Sequence, residues 1–496
     1  MLEDCRTCRL DDATHPMTPN RATLPTPAMN PPALSVGRAL REAIVTMFAA
    51  LATMGCGLAI DPEPGPAVLA VVLCLSLSRS HLDRDLRGRL EAAVALPLVG
   101  LAATGVGTLL LHLPWIGAAV FVAGMFTAIW LRRFGALARR AGSLLVLPFV
   151  AILVTPYVPT RHASPLLTLF IPVLVALLAL LWVSVFHALA RRLHLLPRPA
   201  SLAPHAHVDT PAPPGAMRPV ASTRMAIQMA VALAMSFLVG YVFFAERWGW
   251  IVLTAFIVNS GNRGRLDVAY KSLLRVLGAA AGTLVALTVT VQIGSHDATT
   301  VVLILLAVFL GIWLRPFGYA WWALFVTVAL ALLQGFEGTS ARLILGLRLE
   351  EIVIGAVIGI AAAWLIYPVR STDVLRRRIA DALSALGQAF DPENPARSAD
   401  AFAMALAATS QVAPAFRASR LATRRFRPLQ PADWVDALLA CHDPATMLIE
   451  QGATPGQVRQ AIGAARRALR EPAELLPALQ KLHQSLAQTS HQASTS

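Results

Sequence analysis

The sequence predicts an all-α, polytopic membrane protein with about 12 transmembrane helices in two parallel six-helix repeats, followed by a helical C-terminal cytoplasmic domain. Three observations predict this fold class. Hydrophobic residues make up 56% of the 496 residues and charged residues only 14%, with a mean hydropathy of +0.61. Long apolar runs alternate with arginine clusters, and the two halves repeat each other. This composition excludes a soluble enzyme as the main interpretation.

Six apolar segments can be counted in each half of the chain, most of them long enough for a hydrocarbon core of about 30 Å. In the first half they cover 43–60, 66–78, 92–111, 115–131, 141–158 and 166–190. In the second half they cover 225–245, 248–260, 272–293, 298–314, 317–334 and 343–369.

The repeat is visible in short matching motifs. Residues 129–135 (IWLRRFG) match 312–318 (IWLRPFG) at an offset of 183, and residues 79–83 match 263–267 at an offset of 184. Because each repeat has an even number of helices, both repeats enter the membrane from the same side. We therefore expect them to be related by an axis along the membrane normal.

Arginine placement predicts the orientation. Loops after even-numbered segments are rich in arginine, whereas the alternate loops and adjoining helix starts carry only Arg161, Arg247, Arg342 and Arg348. By the positive-inside rule, both termini are cytoplasmic. The net charge of +14 is then a topology signal, and we expect no nucleic-acid partner.

The chain divides into five predicted parts. Residues 1–35 form a disordered tail without the apolar stretch of a cleavable signal peptide. Residues 36–195 and 224–369 form the two transmembrane repeats, and the Pro-rich segment 196–223 is a cytoplasmic linker. Residues 370–496 are amphipathic and predict a helical domain.

In the C-terminal domain we expect four helices near 374–390, 399–419, 434–451 and 455–486. Ser371 to Asp373 supply a cap for the first helix, and Leu375, Ile379, Leu383 and Leu386 share its apolar face. The chain has no phosphate-binding loop for ATP. One C-x-x-C pair, Cys5 and Cys8, is too little for a zinc site, so we expect no metal, no cofactor and no catalytic residues.

Two segments are too short to cross a membrane unaided. The second and eighth segments have about 13 apolar residues each, or about 20 Å of helix. Short segments at corresponding positions of two repeats indicate a transporter's binding site, which makes Thr254 and Asn259 candidate pathway residues. The alternative is that these polar groups bond back to their own helix.

Glycines four residues apart predict close helix packing in the ninth and twelfth segments, at Gly278 and Gly282 and at Gly355 and Gly359. Thr283 directly follows a glycine, so we treat its hydroxyl as a candidate in the pathway.

The most informative charges are Arg348 and Glu351, which share one face of the twelfth segment with its glycines. One interpretation is a structural ion pair. The other is that Glu351 takes up protons while Arg348 attracts an anion. Arg263, Lys271, Arg275 and Arg315 predict a basic cytoplasmic entrance that concentrates anions, unless they are solvated topology residues.

The second half reads Trp248-Gly-Trp-Ile-Val-Leu-Thr254, then Arg275-x-x-Gly278-x-x-x-Gly282-Thr283, then Arg348-x-x-Glu351-x-x-x-Gly355. With these motifs, residues 36–370 resemble the fusaric acid resistance and aromatic acid exporter superfamily. The resemblance implies proton-driven export of aromatic carboxylic acids or other amphiphilic toxic compounds from a bacterial inner membrane, often beside a periplasmic adaptor protein. The first half departs from this pattern, since Pro97 interrupts its third segment.

Two rival functions fit the same sequence. Plant malate channels combine a helical membrane domain with a helical tail, so an uncoupled anion channel is one alternative. A membrane scaffold that transports nothing is the other. The partners we expect are small organic anions and the lipid bilayer, and the sequence leaves a periplasmic adaptor and a homo-oligomer open.

Overall fold

The computed structural model describes most of the chain. The described residues are 36–62, 64–80, 86–134, 165–196, 221–244, 247–292, 298–336, 341–394, 398–426, 429–453 and 455–495, with Ala138, Gly142, Val146, Phe149 and Leu153 as single positions. The predicted tail 1–35, with Cys5 and Cys8, lies outside these residues. So do most of the linker and most of the fifth predicted segment.

The first half contains five described helices, and α4 ends in a 3-10 turn at Leu131–Phe134. They are α1 (Val36–Ile60), α2 (Pro64–Ser80), α3 (Leu86–His112), α4 (Pro114–Trp130) and α5 (Pro165–Arg192).

The second half contains six described helices, with a 3-10 turn at Arg315–Phe317 between its fourth and fifth. They are α6 (Ala221–Phe243), α7 (Trp248–Asn259), α8 (Arg265–Gln292), α9 (Ala298–Leu314), α10 (Tyr319–Phe336) and α11 (Ala341–Leu365).

The described residues form a polytopic helical membrane protein, which confirms the predicted fold class. Within the described part of the chain, six helices are long and apolar enough to cross a membrane; the qualifying stretches are Val36–Ile60, Pro114–Phe134, Phe170–Arg192, Ser222–Phe243, Arg265–Val289 and Thr299–Phe317. Two further apolar helices are shorter, Trp248–Asn259 and Tyr319–Leu333. The eighth segment is short as predicted, with 12 residues in α7, whereas α2 has 17.

The two halves pack alike. In the first half α1 packs on α2, and α5 packs on α1, α2 and α3. In the second half α6 packs on α7, and α11 packs on α6, α7 and α8. Among the described helices, each half thus places its last helix against its first three.

The contact between the halves has the same symmetry. Helix α4 packs on α6, and α1 packs on α9, so the fourth helix of each half meets the first helix of the other. The α4–α6 contact is aromatic: the ring centroids of Phe121 and Phe237 are 5.5 Å apart, and Phe237 is 5.3 Å from Trp248 at the start of α7. This apolar contact connects the first half to the short helix of the second.

The described residues after Arg370 form seven helices, so the prediction of four was wrong. They are α12 (Ser371–Ala389), α13 (Asp400–Ser410), α14 (Ala413–Thr423), α15 (Pro431–Leu439), α16 (His442–Glu450), α17 (Gly456–Ala468) and α18 (Pro472–Thr495). Each of the last three predicted helices is divided in two. Pro414, Pro444 and Pro472 stand in the first turns of α14, α16 and α18, where proline is tolerated but a preceding helix cannot continue through it.

The predicted apolar face of α12 is confirmed. Leu375, Ile379, Leu383 and Leu386 are all fully buried and belong to the core that these seven helices share. The predicted cap of α12 was wrong, because the helix starts at Ser371 with no side-chain cap. The Ser371 hydroxyl instead accepts a hydrogen bond of 2.9 Å from the amide of Leu266 in α8.

The C-terminal helices dock onto the loop between α7 and α8. Arg263 donates a hydrogen bond of 3.1 Å to the carbonyl of Gln411, between α13 and α14, and the amide of Arg265 donates to the carbonyl of Val369 at 3.2 Å. Beside this contact, burial and the nearby Arg263 lower the pKa of Arg378 from its ordinary value. The membrane helices and the C-terminal core therefore meet at a polar, tightly bonded joint.

Candidate functional site

The short helix α7 lies against α11 with almost no space between the backbones. A Cβ on Gly355 would lie 2.5 Å from the carbonyl oxygen of Ile251, and one on Gly359 would lie 2.8 Å from the Asn259 amide nitrogen. Only glycine allows this approach, so the packing role predicted for this glycine pair fits the geometry.

Glu351 lies one turn before Gly355 on α11 and is completely buried. Its Oε1 atom is 3.5 Å from Nη1 of Arg247, the residue that precedes α7. Arg247 is partly exposed, so this pair connects a buried carboxylate to the surface of the helix bundle. A carboxylate inside a membrane protein is costly, which makes Glu351 a candidate functional position.

Arg348 lies one turn before Glu351 and is also buried. Its guanidinium carbon is 4.8 Å from the centroid of the Trp250 ring in α7, within the range of a cation–π contact. The two candidate charges of α11 therefore both engage the N-terminal end of α7, one through Arg247 and the other through Trp250. We call Arg247, Trp250, Arg348 and Glu351 the α7–α11 charge cluster.

The two polar candidates of α7, Thr254 and Asn259, differ in their hydrogen bonds. The Asn259 amide donates a 3.0 Å hydrogen bond to the carbonyl of Ala255 in its own helix, as the packing interpretation expects. The Thr254 side chain is buried against the Gly355 position, and its hydroxyl has no hydrogen-bond partner among the described residues. The Asn259 side-chain oxygen likewise has no hydrogen-bond partner among the described residues, so both candidates keep one polar atom of α7 available at the contact with α11.

A second buried charge lies on α8. Arg275 is 1% exposed, and its Nε and Nη2 atoms have no hydrogen-bond partner in the described part of the chain. Tyr319, the first residue of α10, lies near both Arg275 and Arg315. The Arg315 guanidinium carbon is 5.2 Å from the Trp322 ring centroid. Close contacts of Gly278 and Gly282 with α10 fix α8 against it.

The four residues of the expected basic entrance lie in two places. Arg263 and Lys271 belong to the joint with the C-terminal helices: Lys271 forms a 2.8 Å ion pair with Asp267, and the Arg263 amide donates to the same carboxylate. Arg275 lies one turn after Lys271 on α8, and Arg315 begins the 3-10 turn Arg315–Phe317; both lie near Tyr319. Arg263 and Lys271 are thus occupied by protein partners, whereas Arg275 and Arg315 group with Tyr319.

Thr283 is only half-buried, and the structure brings it to neither charged cluster. Within the described ranges, no group of three or more His, Cys, Asp or Glu side chains is placed to hold a metal ion.

Residues 230–362 match the family model for fusaric acid resistance protein-like proteins. The match spans α6 to α11 and contains both buried charged clusters, and it confirms the resemblance for this part of the chain. It indicates a membrane transporter of the fusaric acid resistance type, which is a transport family rather than a family of enzymes. No curated protein and no solved structure shows significant similarity to the chain.

Sequence analysis missed three residues of these clusters. Arg247 was counted only as a sparse loop charge, although it pairs with Glu351. Trp250 was named only as part of the motif that begins at Trp248, and Tyr319 was not singled out. The available signal was position: Arg247 and Trp250 flank the start of a helix too short to span, and Tyr319 follows the repeated IWLR motif.

Proposed function

We propose that the protein is a proton-driven secondary exporter of aromatic carboxylic acids or similar amphiphilic compounds in a bacterial inner membrane, with both termini in the cytoplasm. The observation that carries this proposal is the buried carboxylate of Glu351, paired with Arg247 beside the short helix α7. The match of residues 230–362 supports a transport function of this type.

Glu351 is the proton carrier in this proposal. When it is ionised, Arg247 and Arg348 neutralise its charge across the α7–α11 contact. When it is protonated, the carboxyl group no longer neutralises these cations, and the pair with Arg247 is lost. Export by proton exchange requires the proton and the anion to bind in alternation, so the proposal assigns proton uptake by Glu351 to the return step that follows release of the anion.

The substrate class suits an energised exporter. A weak aromatic acid crosses membranes in its neutral form and is trapped inside the cell as an anion, so its removal needs an energy source. Apolar helix faces can hold the ring, and guanidinium groups can hold the carboxylate.

The test is uptake of labelled 4-hydroxybenzoate or fusaric acid into proteoliposomes of known orientation. A pH gradient and a membrane potential are imposed separately, and empty liposomes give the passive permeation to subtract. The proposal expects accumulation above the passive level that follows the pH gradient. Flux that follows voltage alone would instead assign an anion channel, and the absence of flux for every acid in a panel of aromatic carboxylates would favour a scaffold.

A further inference from the structure

Arg275 is a buried cation without a counter-ion among the residues that the structure describes. Neither Arg275 nor Arg315 forms an ion pair with any carboxylate of the described residues. Asp267, the acidic residue on the first turn of α8, pairs with Lys271 instead. A buried guanidinium without a counter-ion is strongly unfavourable, and a bound anion would supply the missing charge.

The polar groups around Arg275 are hydrogen-bond donors. Ser272 precedes it by three residues on the same helix face, is buried, and has a hydroxyl with no partner in the described chain. The Tyr319 hydroxyl is likewise without a hydrogen-bond partner. Together with the two unbonded nitrogens of Arg275, these groups offer N–H and O–H donors with no acceptor opposite them.

The guanidinium of Arg315 completes this arrangement. It lies over the Trp322 ring, which holds its position, and it shares the electrostatic contact with Tyr319. Two cations and two hydroxyl groups without a carboxylate are complementary to an anion, and a guanidinium group matches a carboxylate with two parallel hydrogen bonds.

We propose that Ser272, Arg275, Arg315 and Tyr319 form a binding site for the carboxylate of a small organic acid, distinct from the α7–α11 charge cluster. The site lies between α8 and the start of α10, which Gly278 and Gly282 hold in backbone contact. The choice of a carboxylate over another anion rests on the proposed function; the presence of an anion site does not.

The repeat places this site in the second half alone. At the offset of 183, Arg315 corresponds to Arg132, but Tyr319 corresponds to Ala136. The first half therefore keeps one arginine and lacks the phenol that faces both cations, and Arg132 provides a matched control.

The test is equilibrium binding of radiolabelled benzoate to the purified full-length protein in detergent, with no proton gradient. We expect saturable binding that benzyl alcohol, the uncharged analogue, does not displace. Arg275→Gln is expected to weaken binding at least about tenfold, Tyr319→Phe to weaken it by a smaller factor, and Arg275→Lys to restore part of it. Arg132→Gln is expected to bind as the wild type does.

Size-exclusion profiles and thermal unfolding show whether each variant folds. If Arg275→Gln fails to fold, Tyr319→Phe still tests the site, because it removes only a hydroxyl. Undiminished benzoate binding by folded Arg275→Gln and Tyr319→Phe would overturn the site, and displacement by chloride at equal concentration would overturn its assignment to carboxylates. Because no gradient is imposed, binding that persists in a protein unable to transport would count against the proposed function alone.

Discussion

Nη1 of Arg247 and Oε1 of Glu351 are 3.5 Å apart, and the arginine side chain is 41% exposed while the glutamate side chain is 1% exposed. Arg247 directly precedes α7 and Glu351 lies on α11, so their pairing joins the start of α7 to the middle of α11. The pair therefore extends from the protein surface at Arg247 to the buried contact between α7 and α11 at Glu351.

Arg247→Gln is expected to lower gradient-driven transport at least about tenfold, because it removes the partner of a buried carboxylate. Since the two residues act as one unit, the Arg247→Gln, Glu351→Gln double variant should transport no worse than Glu351→Gln alone. Initial uptake rates in proteoliposomes measure both effects. Arg38→Gln, which alters an exposed pair with Glu42 on α1, is the control; fully additive losses would contradict the coupling.

Gly355→Ala should destabilise the membrane domain by about 1–3 kcal/mol, since its Cβ has no room and the backbones must separate. The atom would lie 2.5 Å from the Ile251 carbonyl oxygen. Gly346→Ala on the same helix, where a Cβ meets nothing within 4 Å, should be neutral. Thermal unfolding in one detergent compares the two, and equal melting temperatures would show that the α7–α11 contact is looser than described.

Gly264→Ala is expected to weaken the joint between the membrane helices and the C-terminal core. Gly264 has φ +120°, a conformation that disfavours a side chain, and its Cβ would lie 2.7 Å from the Ser371 hydroxyl oxygen. Limited proteolysis should cleave near residues 366–370 faster in this variant than in the wild type. Gly387→Ala, with its nearest neighbour 3.8 Å away, should match the wild type; protection of both variants would contradict the prediction.

Cys441 should resist thiol reagents in the folded protein. Burial raises its pKa from 9.0 to about 12, so the thiol stays protonated at neutral pH and the reactive thiolate is absent. Because the folded pKa is the higher one, the associated stability is complete below pH 9 and is lost as the pH rises from about 9 towards about 12. Maleimide labelling followed by peptide mass spectrometry should find Cys441 modified only after denaturation; labelling of the native protein at pH 7 would be the contrary result.

Much of the fold follows from the sequence because membrane helices carry strong signals. Long apolar runs, arginine-rich loops and glycine spacing predict the helices and the face of α11 that packs on α7. The C-terminal helices carry weaker signals, and the sequence analysis joined helices across Pro414, Pro444 and Pro472 because their amphipathic pattern continues past the break.

The charged clusters were harder to predict because their partners are distant in sequence. Glu351 was paired with Arg348, its neighbour on the helix, whereas Arg247 lies beside it only when α7 and α11 pack. Arg275 was grouped with Arg263 as part of an entrance, since both lie near a cytoplasmic loop in sequence. Arg275 lies on the helix that packs on α10, and the first residue of α10, Tyr319, lies near it; no local pattern encodes that contact.

The central claim, that Glu351 carries the proton, is tested most directly by comparing Glu351→Gln with Glu350→Gln in proteoliposomes. Glu350 is the exposed neighbour of the same charge, so the pair isolates the buried position. Proton movement is followed with an internal pH dye while a labelled aromatic acid is transported. We predict that Glu350→Gln keeps coupled accumulation and that Glu351→Gln loses both accumulation and the accompanying proton flux. Unchanged coupled transport by Glu351→Gln would contradict the account.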